Sequence, residues 1–159
     1  MPSKHVERLL QRCRELNLKL RTAESCTAGA VAAEIASVSG ASDVLDRGWI
    51  TYSNQAKMDE LGVSSSLLEK YGAVSEPVVK AMAIGGAGSD EHCICIAISG
   101  IAGPDGGTDE KPVGTVWMAV SYPEQGIQTK KFLFDGERAQ IQAQAVDAAI
   151  SFLLHVLKT

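Results

Sequence analysis

Residues 93–99 read Cys-Ile-Cys-Ile-Ala-Ile-Ser, and this nearly continuous apolar run predicts a central strand covered on both faces of a sheet. A Gly/Pro-rich loop is predicted directly after it, over residues 100–113. Residues 114–122 and 127–134 indicate two further strands joined by a short turn, which together predict an antiparallel hairpin. The last predicted element is a long helix, from about residue 137 to residue 157.

Upstream of the central strand, the pattern alternates between helices and strands. Apolar residues recur at helical spacing over residues 3–17, and residues 18–23 then alternate as a strand. An Ala-rich helix is predicted over residues 27–38, and Gly40 ends it. Residues 48–53 read Gly-Trp-Ile-Thr-Tyr-Ser and predict a second strand.

The segment between the second strand and the central strand predicts three helices. Two are short, over about residues 54–61 and 64–70, and the third begins near Glu76-Pro77, where proline favours the first turn. Helices therefore flank a sheet that contains both parallel and antiparallel strands. The sequence predicts an α/β fold, a three-layer α/β/α sandwich around a mixed β-sheet, with residues 1–159 forming one domain.

The overall composition limits the possible functions. The chain has 159 residues, of which 45% are hydrophobic and 21% are charged, which is enough to bury a core. Its formal net charge is −4 with both signs interspersed, so the basic face of a nucleic-acid binder is not expected. No stretch has the pattern of a membrane span or of a signal peptide. We therefore expect a cytoplasmic protein with neither nucleic acid nor a membrane as its partner.

The cysteines and histidines form no recognisable metal or catalytic pattern. The cysteines lack the spacing of a zinc site, so free thiols and no metal site are predicted, with Cys93 and Cys95 on one face of their strand. The histidines fit a Ser-His-Asp triad poorly and are expected at the surface. A serine nucleophile in this chain therefore needs a different base. The residues concerned are Cys13, Cys26, Cys93, Cys95, His5, His92 and His155.

Ser25 is the first candidate for chemistry, because residues 24–27, Glu-Ser-Cys-Thr, lie at a predicted strand-to-helix turn. A serine hydroxyl is a weak nucleophile until a base removes its proton. On such a turn the side chain is accessible, and amide groups at the helix start, near Cys26 and Thr27, can stabilise a tetrahedral oxyanion. The alternative is structural, since Ser25 or Thr27 can simply cap the helix.

Lys57 is the best remaining candidate for the base. Ser53 or Asn54 can cap the helix that follows the second strand, which places Lys57 in its first turns. A lysine accepts a serine proton when burial or nearby positive charge lowers its pKa, whereas a solvated lysine on a helix face is the alternative. Tyr52 ends the preceding strand, so its hydroxyl either reaches the same cleft, to orient the base or bind substrate, or belongs to an edge aromatic residue.

The glycine-rich loop is the candidate binding site for an anion. Glycines allow tight turns that bring backbone N–H groups close to a phosphate, and ligands of open α/β sheets bind beyond strand ends. The loop matches neither the P-loop nor the dinucleotide-binding pattern, so a long structural turn is the alternative. Arg138 either pairs with a phosphate or forms a surface ion pair with Glu137 or Asp135. The candidate binding residues are Ser99, Gly100, Ile101, Gly103, Gly106, Gly107 and Arg138.

Five segments, in order along nearly the whole chain, resemble the C-terminal domain of the CinA family. Residues 22–29 resemble its T-A-E-S-C-T-G-G signature, and residues 51–57 resemble its Y-S-N-x-x-K segment. Residues 72–78 match G-A-V-S-E-x-V, residues 98–107 match its glycine loop, and residues 111–117 match K-P-V-G-T-V-W. Five segments in the same order are far more specific than any one of them.

The resemblance implies a nicotinamide-nucleotide amidase activity of the PncC type, which converts nicotinamide mononucleotide and water to nicotinate mononucleotide and ammonia. It implies a Ser–Lys mechanism without metal or cofactor, with Ser25 as nucleophile, Lys57 as base, and Tyr52 and Thr27 in supporting roles. The expected partner is a small nucleotide substrate, and apolar helix faces make a homodimer the expected assembly. The separate N-terminal domain of longer CinA proteins is not expected in this chain.

Two positions depart from the family pattern. Ala28 stands where the signature usually has glycine, although a helix start tolerates alanine. Gln142 stands where many relatives carry an arginine, and the loss of a phosphate-binding arginine weakens binding by about 1.5–3 kcal/mol. Two alternatives therefore stay open. One is a non-catalytic paralogue that binds a nucleotide or regulates, and the other is an amidase that acts on another pyridine nucleotide.

Overall fold

A five-stranded sheet with helices on both faces forms the structure, a computed structural model that describes residues 2–158. The strands are β1 (Lys19–Glu24), β2 (Leu45–Ile50), β3 (Cys93–Gly100), β4 (Thr115–Tyr122) and β5 (Gly126–Leu133). The helices are α1 (Pro2–Glu15), α2 (Ala30–Ala36), α3 (Asn54–Leu61), α4 (Ser65–Tyr71), α5 (Glu76–Ala87) and α6 (Arg138–Val156), and a 3₁₀ turn spans Ala41–Asp43.

The sheet is mixed, and β3 lies at its centre in the order β2-β1-β3-β4-β5. β1 pairs in parallel with β2 and β3, whereas β4 pairs antiparallel with β3 and β5. Alternate side chains of β3 enter two cores: its isoleucines pack with α1, α2 and α6, whereas Cys93, Cys95 and Ala97 pack with α3, α4 and α5. The predicted three-layer α/β/α sandwich is confirmed, as are the hairpin and the shared face of Cys93 and Cys95.

Two predicted boundaries close to Ser25 are wrong. The second strand is Leu45–Ile50 rather than residues 48–53, because it is an exposed edge strand whose polar residues hide the alternation expected of a strand. Helix α2 begins at Ala30 rather than at residue 27, because Ala28 and Gly29 have positive φ angles of 49° and 93°, which an α-helix excludes. Residues 25–29 therefore form a turn, and Tyr52 follows the strand instead of ending it.

A buried arginine fixes β1 relative to its neighbours. Arg21 donates hydrogen bonds to the carboxylates of Asp46 at 2.8 Å and Asp90 at 3.0 Å. It also donates to the carbonyl groups of Gly86 at 3.0 Å and Ala87 at 3.1 Å, at the end of α5. A planar guanidinium satisfies several oxygen acceptors at once. This network anchors the strand that leads to Ser25.

The predictions for the cysteines and the histidines agree with the structure. The four cysteines are free and buried, and the three histidines are exposed. Among residues 2–158, none of the helices combines the length and hydropathy needed to cross a bilayer. The same residues contain no group of three or more His, Cys, Asp and Glu side chains arranged to hold a metal ion.

Candidate active site

Ser25 lies directly beyond the carboxyl end of β1. Its amide N–H donates to the carbonyl oxygen of Ile98 at 2.9 Å, which extends the parallel pairing of β1 with β3 by one residue. Ser25 is buried, with 7% of its surface exposed, so it does not stand out on an open elbow. The hydroxyl is therefore held at the edge of a parallel pair of strands where ligands of α/β sheets bind.

Glu24 organises the turn around Ser25, although its role was not predicted from the sequence. Its fully buried carboxylate accepts hydrogen bonds from the amides of Val31 at 2.9 Å and Ala32 at 3.0 Å, and from the Thr27 hydroxyl at 2.6 Å. A carboxylate at a helix N-terminus satisfies free amides and complements the helix dipole. An acidic residue at the end of a predicted strand and just before a predicted helix was the signal available in the sequence.

The cap supplied by Glu24 changes the interpretation of the turn. The N-cap residue of α2 is Gly29, so the alternative that Ser25 or Thr27 caps the helix is wrong. The amides of Cys26 and Thr27 belong to the turn and not to the helix start. Neither of these two amides has a hydrogen-bond acceptor on another residue within the described range 2–158. Two amides without an acceptor on another residue therefore follow Ser25 directly.

Helix α3 brings Lys57 to Ser25. Ser53 caps this helix, which places Lys57 near its start, as predicted. The Nζ atom of Lys57 lies 3.0 Å from the Oγ atom of Ser25, and it donates to the carbonyl groups of Thr51 at 2.7 Å and Tyr52 at 3.3 Å. Because only 1% of Lys57 is exposed, the alternative of a solvated lysine is wrong.

Burial controls the protonation of this amine. It lowers the pKa of Lys57 from 10.5 to about 8, because the charged form loses its hydration. In the part of the chain that the structure describes, no carboxylate lies within ion-pairing distance of Lys57 to reverse this shift. The neighbouring Cys26 thiol does not compete with Ser25 as a nucleophile, because burial raises its pKa to about 12.

Arg138, the first residue of α6, connects Tyr52 with the glycine loop. Its Nη2 atom donates to the hydroxyl of Tyr52 at 2.6 Å, and its Nη1 atom donates to the carbonyl of Gly103 at 2.7 Å. Neither Glu137 nor Asp135 forms the ion pair with it that the sequence left open. Tyr52 is 54% exposed, so its ring lies at the surface beside the cleft rather than inside it.

The first part of the predicted binding loop belongs to the sheet. Ser99 and Gly100 are the last residues of β3, and Ser99 is buried. Ile101 continues the pairing with the β4 side: its N–H donates to Thr115 at 2.9 Å and its carbonyl accepts from Gly114 at 2.7 Å. These backbone groups are therefore already occupied.

The later glycines leave backbone donors unused. A Cβ atom at Gly103 or at Gly107 would come within 3.0 Å of Val113, so the loop packs too tightly there for a side chain. Gly103 and Gly106 also have φ angles of 81° and 94°, in the region that favours glycine. Within residues 2–158, the N–H groups of Gly103, Gly106 and Gly107 find no hydrogen-bond acceptor. These three amides of the predicted binding loop are therefore free donors.

Comparison with known proteins identifies the family. Residues 3–157 match the model of the CinA C-terminal domain. The chain belongs to the CinA C-terminal domain family. It is 47% identical to a nicotinamide-nucleotide amidohydrolase named PncC from Escherichia coli strain K12, over 83% of this chain and 80% of that protein.

Two other comparisons show that this CinA domain resembles part of some longer proteins and nearly the whole of another protein. A CinA-like protein of Akkermansia muciniphila is 47% identical over 87% of this chain but over only 33% of its own length. The chain thus spans about a third of the first CinA-like relatives that it matches. The crystal structure of the competence/damage inducible protein CihA from Agrobacterium tumefaciens has a TM-score of 0.93 at 35% identity, covering 99% of this chain and 96% of that one.

Ala28 departs from the CinA signature at a strained position. Its φ angle of 49° lies in the left-handed region, which costs a residue with a Cβ atom about 1–2 kcal/mol. The expectation that a helix start tolerates alanine here is wrong, because α2 begins two residues later, at Ala30. The signature's glycine therefore suits the backbone of the turn.

Ala28→Gly is expected to raise the free energy of unfolding by about 0.5–1 kcal/mol, because the relieved strain exceeds the entropy that glycine adds to the unfolded chain. Urea denaturation at neutral pH measures the difference. The matched control is Ala33→Gly on an exposed position of α2, which is expected to lower stability by about 1 kcal/mol. An Ala28→Gly protein less stable than wild type would contradict the assignment of strain.

Gln142 is the second departure from the CinA pattern, and it contacts the turn of the nucleophile. It lies on α6 one turn after Arg138, and its Nε2 atom donates to the carbonyl oxygen of Cys26 at 3.0 Å. Its side-chain amide is therefore bound to the backbone next to Ser25.

Proposed function

We propose that this chain is an amidohydrolase that converts nicotinamide mononucleotide and water to nicotinate mononucleotide and ammonia. The observation that carries the proposal is the distance of 3.0 Å between the Nζ atom of buried Lys57 and the Oγ atom of Ser25. An amine that is easily deprotonated, at hydrogen-bond distance from a serine, has the geometry of a general base and its nucleophile. The name of the Escherichia coli relative supports the choice of substrate.

In the acylation step, Ser25 attacks the carboxamide carbon while Lys57 takes its proton. Two N–H groups of the neutral amine donate to the carbonyls of Thr51 and Tyr52, which leaves the lone pair of the amine for the Ser25 proton. The new C–O bond converts the amide oxygen to an oxyanion. The turn amides of Cys26 and Thr27 stabilise this charge.

The same lysine then acts as the acid. The Lys57 ammonium gives its proton to the departing nitrogen, the C–N bond breaks, and ammonia leaves an acyl ester on Ser25. A water molecule attacks this ester while Lys57 takes one of its protons. That proton returns to the Oγ atom of Ser25 as the ester bond breaks and the carboxylic acid is released, so the enzyme is regenerated.

The phosphate of the nucleotide is assigned to the glycine loop and the start of α6. The free N–H groups of Gly103, Gly106 and Gly107 are donors for its oxygens. The positive charge of Arg138 lies beside them, and its contacts to Gly103 and Tyr52 leave further N–H groups of the guanidinium available. In this proposal Tyr52 helps to orient Arg138, and Thr27 supports the turn through Glu24.

Ammonia release from nicotinamide mononucleotide by the purified chain tests the proposal, with the product identified as nicotinate mononucleotide by mass spectrometry. We expect one ammonia for each product molecule. Nicotinamide riboside, which lacks only the phosphate, is the matched substrate and is expected to show a KM at least about tenfold higher. Binding of nicotinamide mononucleotide without turnover would contradict the proposal and favour a non-catalytic paralogue. Turnover of a different pyridine nucleotide alone would contradict the substrate.

A further inference from the structure

The contact from Gln142 to the Cys26 carbonyl has no part in the steps above, yet it binds the peptide unit whose N–H group those steps use. The carbonyl of Cys26 and the N–H of Thr27 belong to the same peptide unit. This peptide is trans, since the one cis bond in the described residues joins Gly103 and Pro104. In a trans peptide the C=O and N–H bonds point in opposite directions. A donor that holds the carbonyl therefore fixes the direction of the Thr27 N–H.

The layers of the fold indicate the direction of the Thr27 N–H. Helix α6 packs on the same face of the sheet as α1 and α2, whereas α3, which carries Lys57, packs with the opposite core. Gln142 holds the Cys26 carbonyl on the α6 side. Because α6 and α3 lie on opposite faces of the sheet, we expect the N–H of Thr27 to point away from α6, toward the side from which Lys57 reaches Ser25.

We infer that Gln142 is a positioning residue that aims the Thr27 N–H at the developing oxyanion, an inference that rests on the proposed function. Glu24 holds the Thr27 side chain, but a bond to a side chain leaves the preceding peptide plane free to rotate. Only the Gln142 bond holds the carbonyl side of that plane within residues 2–158. Without it the Cys26 carbonyl can turn toward the cleft, where its negative end opposes the oxyanion.

The test is a steady-state comparison of Gln142→Met with wild type on nicotinamide mononucleotide. Methionine keeps the length of the side chain but cannot donate, so kcat is expected to fall about 10- to 100-fold while KM stays within about twofold, because an oxyanion donor acts only in the transition state. Gln142→Glu, which has the same shape but accepts hydrogen bonds, is expected to lose at least as much. A wild-type kcat in either folded variant would overturn the inference, as would a loss confined to KM.

Gln144→Met is the matched control. This glutamine also lies on α6 and donates to backbone carbonyls, those of Asp135 and Gln140, which are outside the proposed site. Its removal is expected to leave kcat within about twofold of wild type, so an equal loss in Gln144→Met would overturn the inference. Gln142→Arg restores an N–H donor at this position and is expected to recover most of the lost kcat.

A second measurement separates this inference from the proposed function. A fluorophosphonate forms a covalent tetrahedral adduct with an activated serine, and its labelling rate at Ser25 does not depend on nucleotide turnover. We expect Gln142→Met to be labelled at least about tenfold more slowly than wild type and Gln144→Met at the wild-type rate. This pattern without ammonia release from nicotinamide mononucleotide would overturn the substrate and support the role of Gln142. Ammonia release by wild type, with the labelling rate and kcat unchanged in Gln142→Met, would support the substrate and overturn the role of Gln142.

Discussion

Lys57→Met is expected to lower kcat for ammonia release by about 10⁴-fold. The amine is proposed to act twice in each turnover, as base for Ser25 and as acid for the leaving nitrogen, and each such role contributes substantially to the rate. Methionine has a similar length and an unbranched side chain, so it fills the same space without a titratable group. A stopped assay with a long incubation, which detects slow ammonia release, measures the loss.

The free energy of unfolding of Lys57→Met distinguishes the loss of a base from misfolding, because the variant is expected to be more stable than wild type. The pKa of Lys57 falls from 10.5 to about 8 on folding, so below pH 8 the buried ammonium costs the folded state about 3 kcal/mol. This cost is relieved as the pH rises from 8 to 10.5, because in that window the unfolded chain holds the proton and the folded chain does not. Lys57→Met removes the cost together with the hydrogen bonds of the amine, and is expected to be more stable than wild type by about 1–2 kcal/mol at pH 7.

The matched control for Lys57→Met is Lys80→Met, on an exposed position of α5. It removes the same charge and is expected to change neither kcat nor stability by a measurable amount. If Lys57→Met kept more than about a tenth of wild-type kcat, Lys57 would not be the base.

Ser25→Ala is expected to abolish the covalent pathway and to lower kcat by about 10⁴-fold or more, because a missing nucleophile cannot be replaced by its neighbours. The Cys26 thiol stays protonated, since burial raises its pKa to about 12. Binding of the nucleotide is expected to persist, because the proposed phosphate donors belong to the glycine loop and Arg138. Calorimetry with nicotinamide mononucleotide measures that binding without turnover.

The control for Ser25→Ala is Ser66→Ala, an exposed serine on α4 that is expected to behave as wild type. Fluorophosphonate labelling, read by intact mass, is expected in wild type and Ser66→Ala and not in Ser25→Ala. Ammonia release by Ser25→Ala at a rate near that of wild type would show that water attacks the amide directly, which would rule out the acyl-enzyme.

The sequence predicted the sheet and its layers because the signals are local and strong there. The apolar run of residues 93–99 is short and rich in isoleucine, which favours a buried strand over a helix, and the two segments after the glycine loop have the pattern of a hairpin. The second strand lacks this signal, because at the edge of the sheet the successive residues Asp46, Arg47 and Gly48 all keep exposed surface and two of them are charged. The homodimer and the single-domain organisation stay predictions.

The sequence predicted which residues form the candidate site, but it did not predict the contacts among them. Spacing and the resemblance to the CinA pattern indicated Ser25, Lys57 and Arg138, but burial of Lys57 depends on the packing of α3 against the sheet, which no local pattern encodes. The role of Glu24 and the contact of Gln142 with Cys26 depend on a turn with two positive φ angles. A sequence that places alanine at one of them gives no local sign of that turn, because alanine favours a helix.

The pH dependence of kcat/KM, compared between wild type and Lys57→Met, tests most directly whether an uncharged Lys57 activates Ser25. For wild type we predict that kcat/KM rises with pH through an apparent pKa of about 8, the value that burial gives this amine, because only the deprotonated form accepts the serine proton. The residual activity of Lys57→Met is predicted to lack this rise. A flat wild-type profile across that range, or the same rise retained in Lys57→Met, would contradict the account.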